Sequence, residues 1–383
     1  MNTIKNITAV TEVFPEGQKC VGALLAYDRP VAAARAEDFA VAGRTIADVR
    51  VRGDGAVYIA LSPDDPGAGT FIPGEAWEFT AARVEDPMLA VSQLSDLAAA
   101  DGTVLPAFGP EKSAGVEAPE LERFVRGSFQ GLRYNLFIPR DYDPGVKYPL
   151  VQFIHDASVC SEDPRCALAQ GVGALVWTTE EAQAKHPCFV LAPQFAPPTI
   201  VDDDWNVDHR LEVCKRLLDH VVSLYSIDAD RLYTTGQSMG CMSSMVLNLR
   251  YPDLFAASLF VAGQWDERLF RGSGLQNKRF WFVNSMGDAK AFPGMNQILY
   301  ALEQDGAKVA REVWRTGESQ QTYREKAEAL IKTGANMIYT PYDITTVANG
   351  WHSHGGEHHV NTWRHAYGVE AIRDWLFDQR KGG

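Results

Sequence analysis

The residues with the most chemistry in them are Gly236-Gln237-Ser238-Met239-Gly240. A serine hydroxyl attacks a carbonyl only when a base takes its proton, so its weight depends on what surrounds it. The five residues follow a short apolar run, Arg231-Leu-Tyr-Thr-Thr235, and open a stretch with apolar residues at helical spacing. That order predicts a sharp strand-to-helix turn with Ser238 at its apex and glycines where side chains would collide. In a chain with 32 glycines the bare Gly-x-Ser-x-Gly match is weak, and the context carries the reading.

An activated serine needs an acid and a histidine downstream. Asp288 follows the apolar run Arg279-Phe-Trp-Phe-Val283, in the loop at a strand's C-terminal end. The competing reading is a helix-capping aspartate, with Asp266 after an earlier strand as the rival acid. Five histidines crowd one C-terminal stretch, namely His352, His354, His358, His359 and His365, and one of them is expected to be the base. The segment lacks a His-Glu-x-x-His helix pattern, which argues against a metal site; no metal and no cofactor is expected. Acyl transfer also needs two backbone N–H donors for the developing oxyanion. Met239, next to the serine, supplies one; Ala157, in Phe153-Ile-His-Asp-Ala157 after another apolar strand, is expected to supply the other. Gln237 and the loop tryptophans Trp205, Trp265 and Trp351 are candidate substrate contacts, with packing against neighbouring loops as the bland alternative for each tryptophan.

These residues must be held by a frame. From about residue 120 apolar strands alternate with helices, the signature of a mostly parallel sheet covered on both faces. Strands are predicted at 132–138, 150–154, 188–191, 231–235, 257–261, 279–283 and 336–342, and helices at 211–225, 238–249, 295–304, 323–333 and 363–379. The first hundred residues read instead as short strands, at 20–27, 48–52, 56–61 and 77–80, with Gly53-Asp-Gly55 as a hairpin turn, which predicts a small β-sandwich. The Pro-, Gly- and charge-rich stretch 108–119 reads as a linker. The expected division is 1–118 and 119–383.

Composition excludes several classes. In 383 residues, 46% hydrophobic and 22% charged is ordinary for a folded globular chain. Thirty-six Lys and Arg against 49 Asp and Glu give a net charge of −13, the wrong sign for holding nucleic acid or an anionic membrane. No apolar run is long enough to span a bilayer, and the N-terminus has no secretory leader, so the chain as given is expected to be cytoplasmic, or secreted if a leader has been removed. The six cysteines form no Cys-x-x-Cys pair and are expected to be mostly buried thiols; Cys160 and Cys166 are close enough in sequence to close a small disulfide.

Five separated blocks then resemble one family: YPLVQFIHDA (148–157), LYTTGQSMGCMSSM (232–245), YPDLFAASLFVAGQWD (251–266), NSMGDAKAFPGM (284–295) and GGEHHVNTWRHAYGVEAIRDWLFDQ (355–379). The chain resembles α/β-hydrolase esterases that carry an N-terminal immunoglobulin-like domain, related to polyhydroxyalkanoate depolymerases and feruloyl esterases. The resemblance implies an α/β-hydrolase fold behind an immunoglobulin-like sandwich, with Ser238 as nucleophile, Asp288 as acid and His359 as base. The substrate it implies is a small or polymeric carboxylic ester, with short acyl, aryl and polyester-like types all in range. Asp156 stands where the family usually has glycine, and His358 remains an alternative base. A helix starting near Thr362 would leave both histidines in a short loop, and the stretch between Asp288 and His359, about 305–358, would be a lid or cleft wall. Two other functions are set against this one. A prolyl-oligopeptidase-like peptidase shares the triad order but needs a propeller, and a catalytically dead scaffold would not need the serine, acid and histidine together.

Overall fold

The computed structural model describes residues 4–75 and 80–382. It divides into two compact units, one of residues 1–72 and 83–123, the other of residues 73–82 and 124–383. The second unit therefore takes a ten-residue segment from inside the first unit's stretch of sequence. The expected strand at 77–80 falls largely outside the described residues.

The first unit is all β. A five-stranded sheet runs in the order Gly115–Glu117, Ile4–Phe14, Gly17–Tyr27, Val57–Leu61, Ile46–Val51, and a three-stranded sheet in the order Phe108–Lys112, Ala90–Gln93, Phe39–Val41. Alternation does the folding: in Val57–Leu61 every second side chain is buried, and Ile7, Leu25, Val57, Ile59 and Val91 from both sheets share one core. The Gly53–Gly55 turn joins two antiparallel strands as expected, with Val51 paired to Val57. The stretch read as a linker is a correction. Residues 108–112 pair with 90–93 and residues 115–117 pair with Ile4–Phe14, because an exposed edge strand keeps polar residues on both faces and so shows no alternation.

The second unit is built on a nine-stranded sheet. In chain order its strands are β1 (Phe124–Phe129), β2 (Leu132–Phe137), β3 (Tyr148–Ile154), β4 (Phe189–Gln194), β5 (Ile227–Gln237), β6 (Ala257–Val261), β7 (Phe280–Val283), β8 (Val309–Arg311) and β9 (Met337–Tyr339). They are ordered β1-β2-β4-β3-β5-β6-β7-β9-β8; β1 and β2 are antiparallel to their neighbours and the rest pair in parallel. The longer helices are α1 (Arg210–Leu224), α2 (Met239–Arg250), α3 (Ala291–Gln304), α4 (Gln320–Lys332), α5 (Gly355–Ala366) and α6 (Glu370–Phe377). Strand β7 shows why both sheet faces are covered. Phe280 and Phe282 join a core with Leu217 of α1, Met242 of α2 and Ile298 of α3, while Trp281 between them packs on Trp314 and on Trp375 of α6.

Two further expectations change. The C-terminal helix is two helices, interrupted around Gly368, and it starts at Gly355 rather than near 362. His354 caps it: its Nδ1 accepts from the Glu357 N–H while the Glu357 carboxylate accepts from the His354 N–H, a capping box built on an imidazole. Part of the 305–358 stretch is sheet framework, since it contributes β8 and β9 to the sheet and α4 between them. Cys160 and Cys166 are both buried free thiols, as are the other four cysteines. Among the described residues no helix is long and apolar enough to cross a membrane.

Candidate active site

Strand β5 ends at Gln237 and α2 begins at Met239, leaving Ser238 alone in the turn with φ 52° and ψ −119°. That backbone region costs a serine on the order of 1–3 kcal/mol and is held only by its surroundings. The holding contacts are close. A Cβ on Gly240 would lie 1.9 Å from the Ile154 carbonyl oxygen, and one on Gly236 would lie 2.5 Å from Gly240 itself, so β5, α2 and β3 meet at a distance only glycine permits. The Ser238 N–H donates to the carbonyls of Val261 and Ala262 at the end of β6.

From this turn Ser238 meets His359: its Oγ lies 2.9 Å from Nε2 of the imidazole. On the other side of the ring, Nδ1–H donates to Asp288 Oδ2 at 2.6 Å, which fixes the tautomer and leaves Nε2 as the acceptor toward the serine. Asp288 lies in the loop after β7 and is 3% exposed. Its second oxygen, Oδ1, accepts from the N–H groups of Lys290 and Ala291 at the start of α3. One oxygen of this aspartate thus caps a helix start, while the other faces His359, where the acid reading would place it. Burial alone would raise its pKa, but the hydrogen bond and charge of His359 and the two backbone N–H groups outweigh it and hold the carboxyl below the usual aspartate value. The rival Asp266 is occupied elsewhere, binding Arg268 through both oxygens.

The adjacent histidines are separated by helix geometry. Both sit on the first turns of α5, where successive side chains diverge by about 100°. His359 points to the serine, while His358 is buried and donates from Nε2 to the Gly350 carbonyl, with the Ser285 hydroxyl 3.0 Å from its Nδ1. One turn beyond His359, Trp363 meets the imidazole edge-on with ring centroids 5.2 Å apart. Nothing in the residue pattern marks Ser285 or Gly350 as partners of a histidine.

The two expected N–H donors follow neighbouring strands. Ile154, last in β3, pairs with Gly236 of β5, so Ala157 and Met239 both lie beyond the same end of the sheet. Among the described residues neither N–H donates a hydrogen bond. Met239 is the first residue of α2, where the helix dipole adds positive potential. Ala157 opens a three-residue 3-10 turn fixed by Asp156, whose Oδ1 accepts from the Ser158 N–H and hydroxyl and whose Oδ2 accepts from Gln237 Nε2. His155 is fully buried between the Asp156 carbonyl and the Phe195 N–H, and burial pushes its pKa down.

The candidate substrate contacts are dispersed. Gln237 is 3% exposed and spends its amide on Asp156 and Gln170. Trp205 and Trp265 form an edge-to-face pair 5.3 Å apart, with Trp265 buried. Trp351 is 74% exposed, on the short turn after Gly350. Near the first pair, Asp203 accepts from Gln264 Nε2 at 2.7 Å and pairs with Lys290, a polar link that nothing in the sequence pattern announced. Among the described residues no three His, Cys, Asp or Glu side chains gather as a metal site would require.

Residues 6–106 match the family model described as the esterase Ig-like N-terminal domain, and residues 199–371 match the model described as putative esterase. A solved thermostable esterase superposes on 98% of this chain and 100% of its own with a TM-score of 0.80 at 24% identity, which establishes the fold. A feruloyl esterase module from Clostridium thermocellum aligns over 68% of this chain and 89% of its own, with a TM-score of 0.45 and 16% identity. Acetylxylan esterase A of Emericella nidulans is 30% identical over 79 residues, 17% of this chain and 26% of that enzyme's length. Both matching models carry esterase descriptions, and the superposition at TM-score 0.80 shows an α/β-hydrolase fold after an immunoglobulin-like sandwich, the combination the sequence blocks resemble.

Proposed function

We propose that the protein is a serine carboxylesterase that works through an acyl-enzyme. The observation that carries this is the unbroken chain from Asp288 through His359 to Ser238, at 2.6 and 2.9 Å, with the serine on a strained turn. His359 Nε2 takes the Ser238 proton as Oγ bonds to the ester carbonyl carbon, and the carbonyl oxygen becomes an oxyanion held by the N–H groups of Met239 and Ala157. Asp288 stays ionised and steadies the imidazolium. The tetrahedral species collapses, the C–O bond to the alcohol breaks, and His359 returns the proton to the leaving alkoxide. Water then repeats the sequence on the acyl-enzyme and releases the acid. Every proton moved is held by a named residue, so the reaction calls on no cofactor.

Ser238→Ala tests the assignment. It should abolish p-nitrophenyl acetate hydrolysis, by on the order of a million-fold in turnover, with an unchanged circular dichroism spectrum. A variant that keeps a tenth of the activity would remove Ser238 from the mechanism. The substrate is then read from a panel of p-nitrophenyl esters of increasing acyl length, feruloyl esters, a polyester film and a peptide anilide. Cleavage of the anilide in preference to the esters would overturn the esterase reading in favour of a peptidase.

A further inference from the structure

The turn that carries Ala157 is held from within by the Asp156 carboxylate, at 2.9 and 2.6 Å from the Ser158 N–H and hydroxyl. Its own backbone bonds are long, 3.2 Å from Val159 N–H to the Asp156 carbonyl and 3.4 Å from Cys160 N–H to the Ala157 carbonyl. Short bonds to its later residues come from Gln194 Nε2, 2.9 Å to the Val159 carbonyl, from the Phe195 carbonyl, 2.8 Å from the Ser161 N–H, and from residues 73–75 and 80–82, which the second unit takes from earlier in the sequence. Gly74 N–H donates to the Ser158 carbonyl at 2.7 Å and Ala82 N–H to the Cys160 carbonyl at 2.9 Å. Ser161 Oγ–H then donates back to the Ala82 carbonyl at 2.7 Å, and Ser161 and Ala82 are both buried. Glu75 and Thr80 are tied to each other, Glu75 N–H to Thr80 Oγ1 at 2.7 Å.

We infer that residues 73–75 and 80–82 are a strap that positions the second oxyanion donor, with Ser161 and Ala82 as positioning residues that touch no substrate. The inference rests on the esterase reading of the site. An oxyanion donor acts only if its N–H is aimed to within about 0.5 Å and 10–20° of the oxygen it stabilises. The orientation of the Asp156–Ala157 peptide is fixed on one side by the Asp156 carboxylate and Gln237. On the other side it is held by the strap together with Gln194 and Phe195, one to four residues further along. Loosening the strap leaves Ser238, His359 and Asp288 untouched and degrades only the transition-state contact.

The test compares Ser161→Ala, which removes the hydroxyl, with Ser161→Thr, which keeps it, and with Ala82→Pro, which removes the donor to Cys160 independently. Removing an oxyanion donor outright costs about 10²–10³ in turnover, so loosening one should cost about tenfold. Ser161→Ala and Ala82→Pro should lower kcat about tenfold with KM within twofold. They should also raise the inhibition constant of a trifluoromethyl ketone, whose carbonyl becomes an oxyanion on adding Ser238, by the same factor. The product carboxylate should bind as before, and Ser161→Thr should restore both values. A soluble, folded Ser161→Ala protein with unchanged kcat and unchanged ketone binding would overturn the strap while leaving the esterase reading intact. Loss that tracks KM or melting temperature rather than ketone affinity would overturn it too. A wild-type protein inert toward esters and the ketone would overturn the esterase reading and the strap with it.

Discussion

Replacing Asp288 with asparagine separates charge from shape at the buried end of the site. Asn is nearly isosteric, and its single oxygen has a clear preference. The Oδ1 position accepts two N–H groups, from Lys290 at 3.0 Å and Ala291 at 2.9 Å, which an amide nitrogen would face donor to donor. The Asn oxygen therefore takes that place, and its NH₂ points at His359 Nδ1 across the former 2.6 Å bond. Nδ1 must then accept, which moves the ring proton to Nε2, where it faces Ser238 and the base is lost. The expected cost is about 10⁴ in kcat, about 5.4 kcal/mol at 1.36 kcal/mol per tenfold, with KM little changed. Steady-state hydrolysis of p-nitrophenyl acetate at neutral pH measures it, and circular dichroism reports the fold. A folded Asp288→Asn enzyme within tenfold of wild type would refute the idea that this carboxylate sets the tautomer.

His359→Ala should lower turnover by several orders of magnitude, whereas His358→Ala should cost about tenfold or less in rate while lowering the melting temperature, because it strips partners from the buried Gly350 and Ser285 groups; the reverse ranking in rate would exchange their roles. Dialysis against EDTA should leave activity unchanged, and a collapse restored by zinc would contradict the triad mechanism. Because the folded pKa of Asp288 is depressed, its contribution to stability is complete above the ordinary aspartate value of 3.8 and is lost as pH falls through the folded value. Wild type should therefore lose melting temperature on acidification below about 4 more steeply than Asp288→Asn, and parallel curves would show that the carboxylate is not stabilised in the fold.

The parts of the site legible in sequence are those whose chemistry is local. Gly236 and Gly240 flag the turn because steric exclusion acts between near neighbours, and the run before Asp288 reads as a strand because all four residues of β7 are buried and apolar. The start of α5 was misplaced because His354 is an uncommon cap and the usual Ser, Thr, Asp and Asn signals are missing there. Residues 108–117 looked like a linker because edge pairing satisfies backbone groups without asking the side chains for a pattern. Loop tryptophans are the weakest case: composition puts Trp265 and Trp351 in one class, yet one is 3% exposed and the other 74%. The bonds between residues 74–82 and 158–161 are mostly backbone to backbone, and such bonds leave no trace in residue types.

The strap also bears on how the chain is made. Ser161 is 79 positions downstream of the Ala82 carbonyl it binds, so during synthesis residues 73–82 emerge well before their partners exist. A contact of that sequence separation slows folding, because loop closure must be completed before the bonds reward it. The N-terminal strands on both sides of the segment, Phe71–Ile72 and Arg83–Val84, can pair with each other at once and hold its two ends together in the meantime. Translation order thus favours a nascent chain in which strands 71–72 and 83–84 are already paired when the 156–161 turn emerges, and a version of the protein expressed from residue 124 onward would have to complete that turn without the strap.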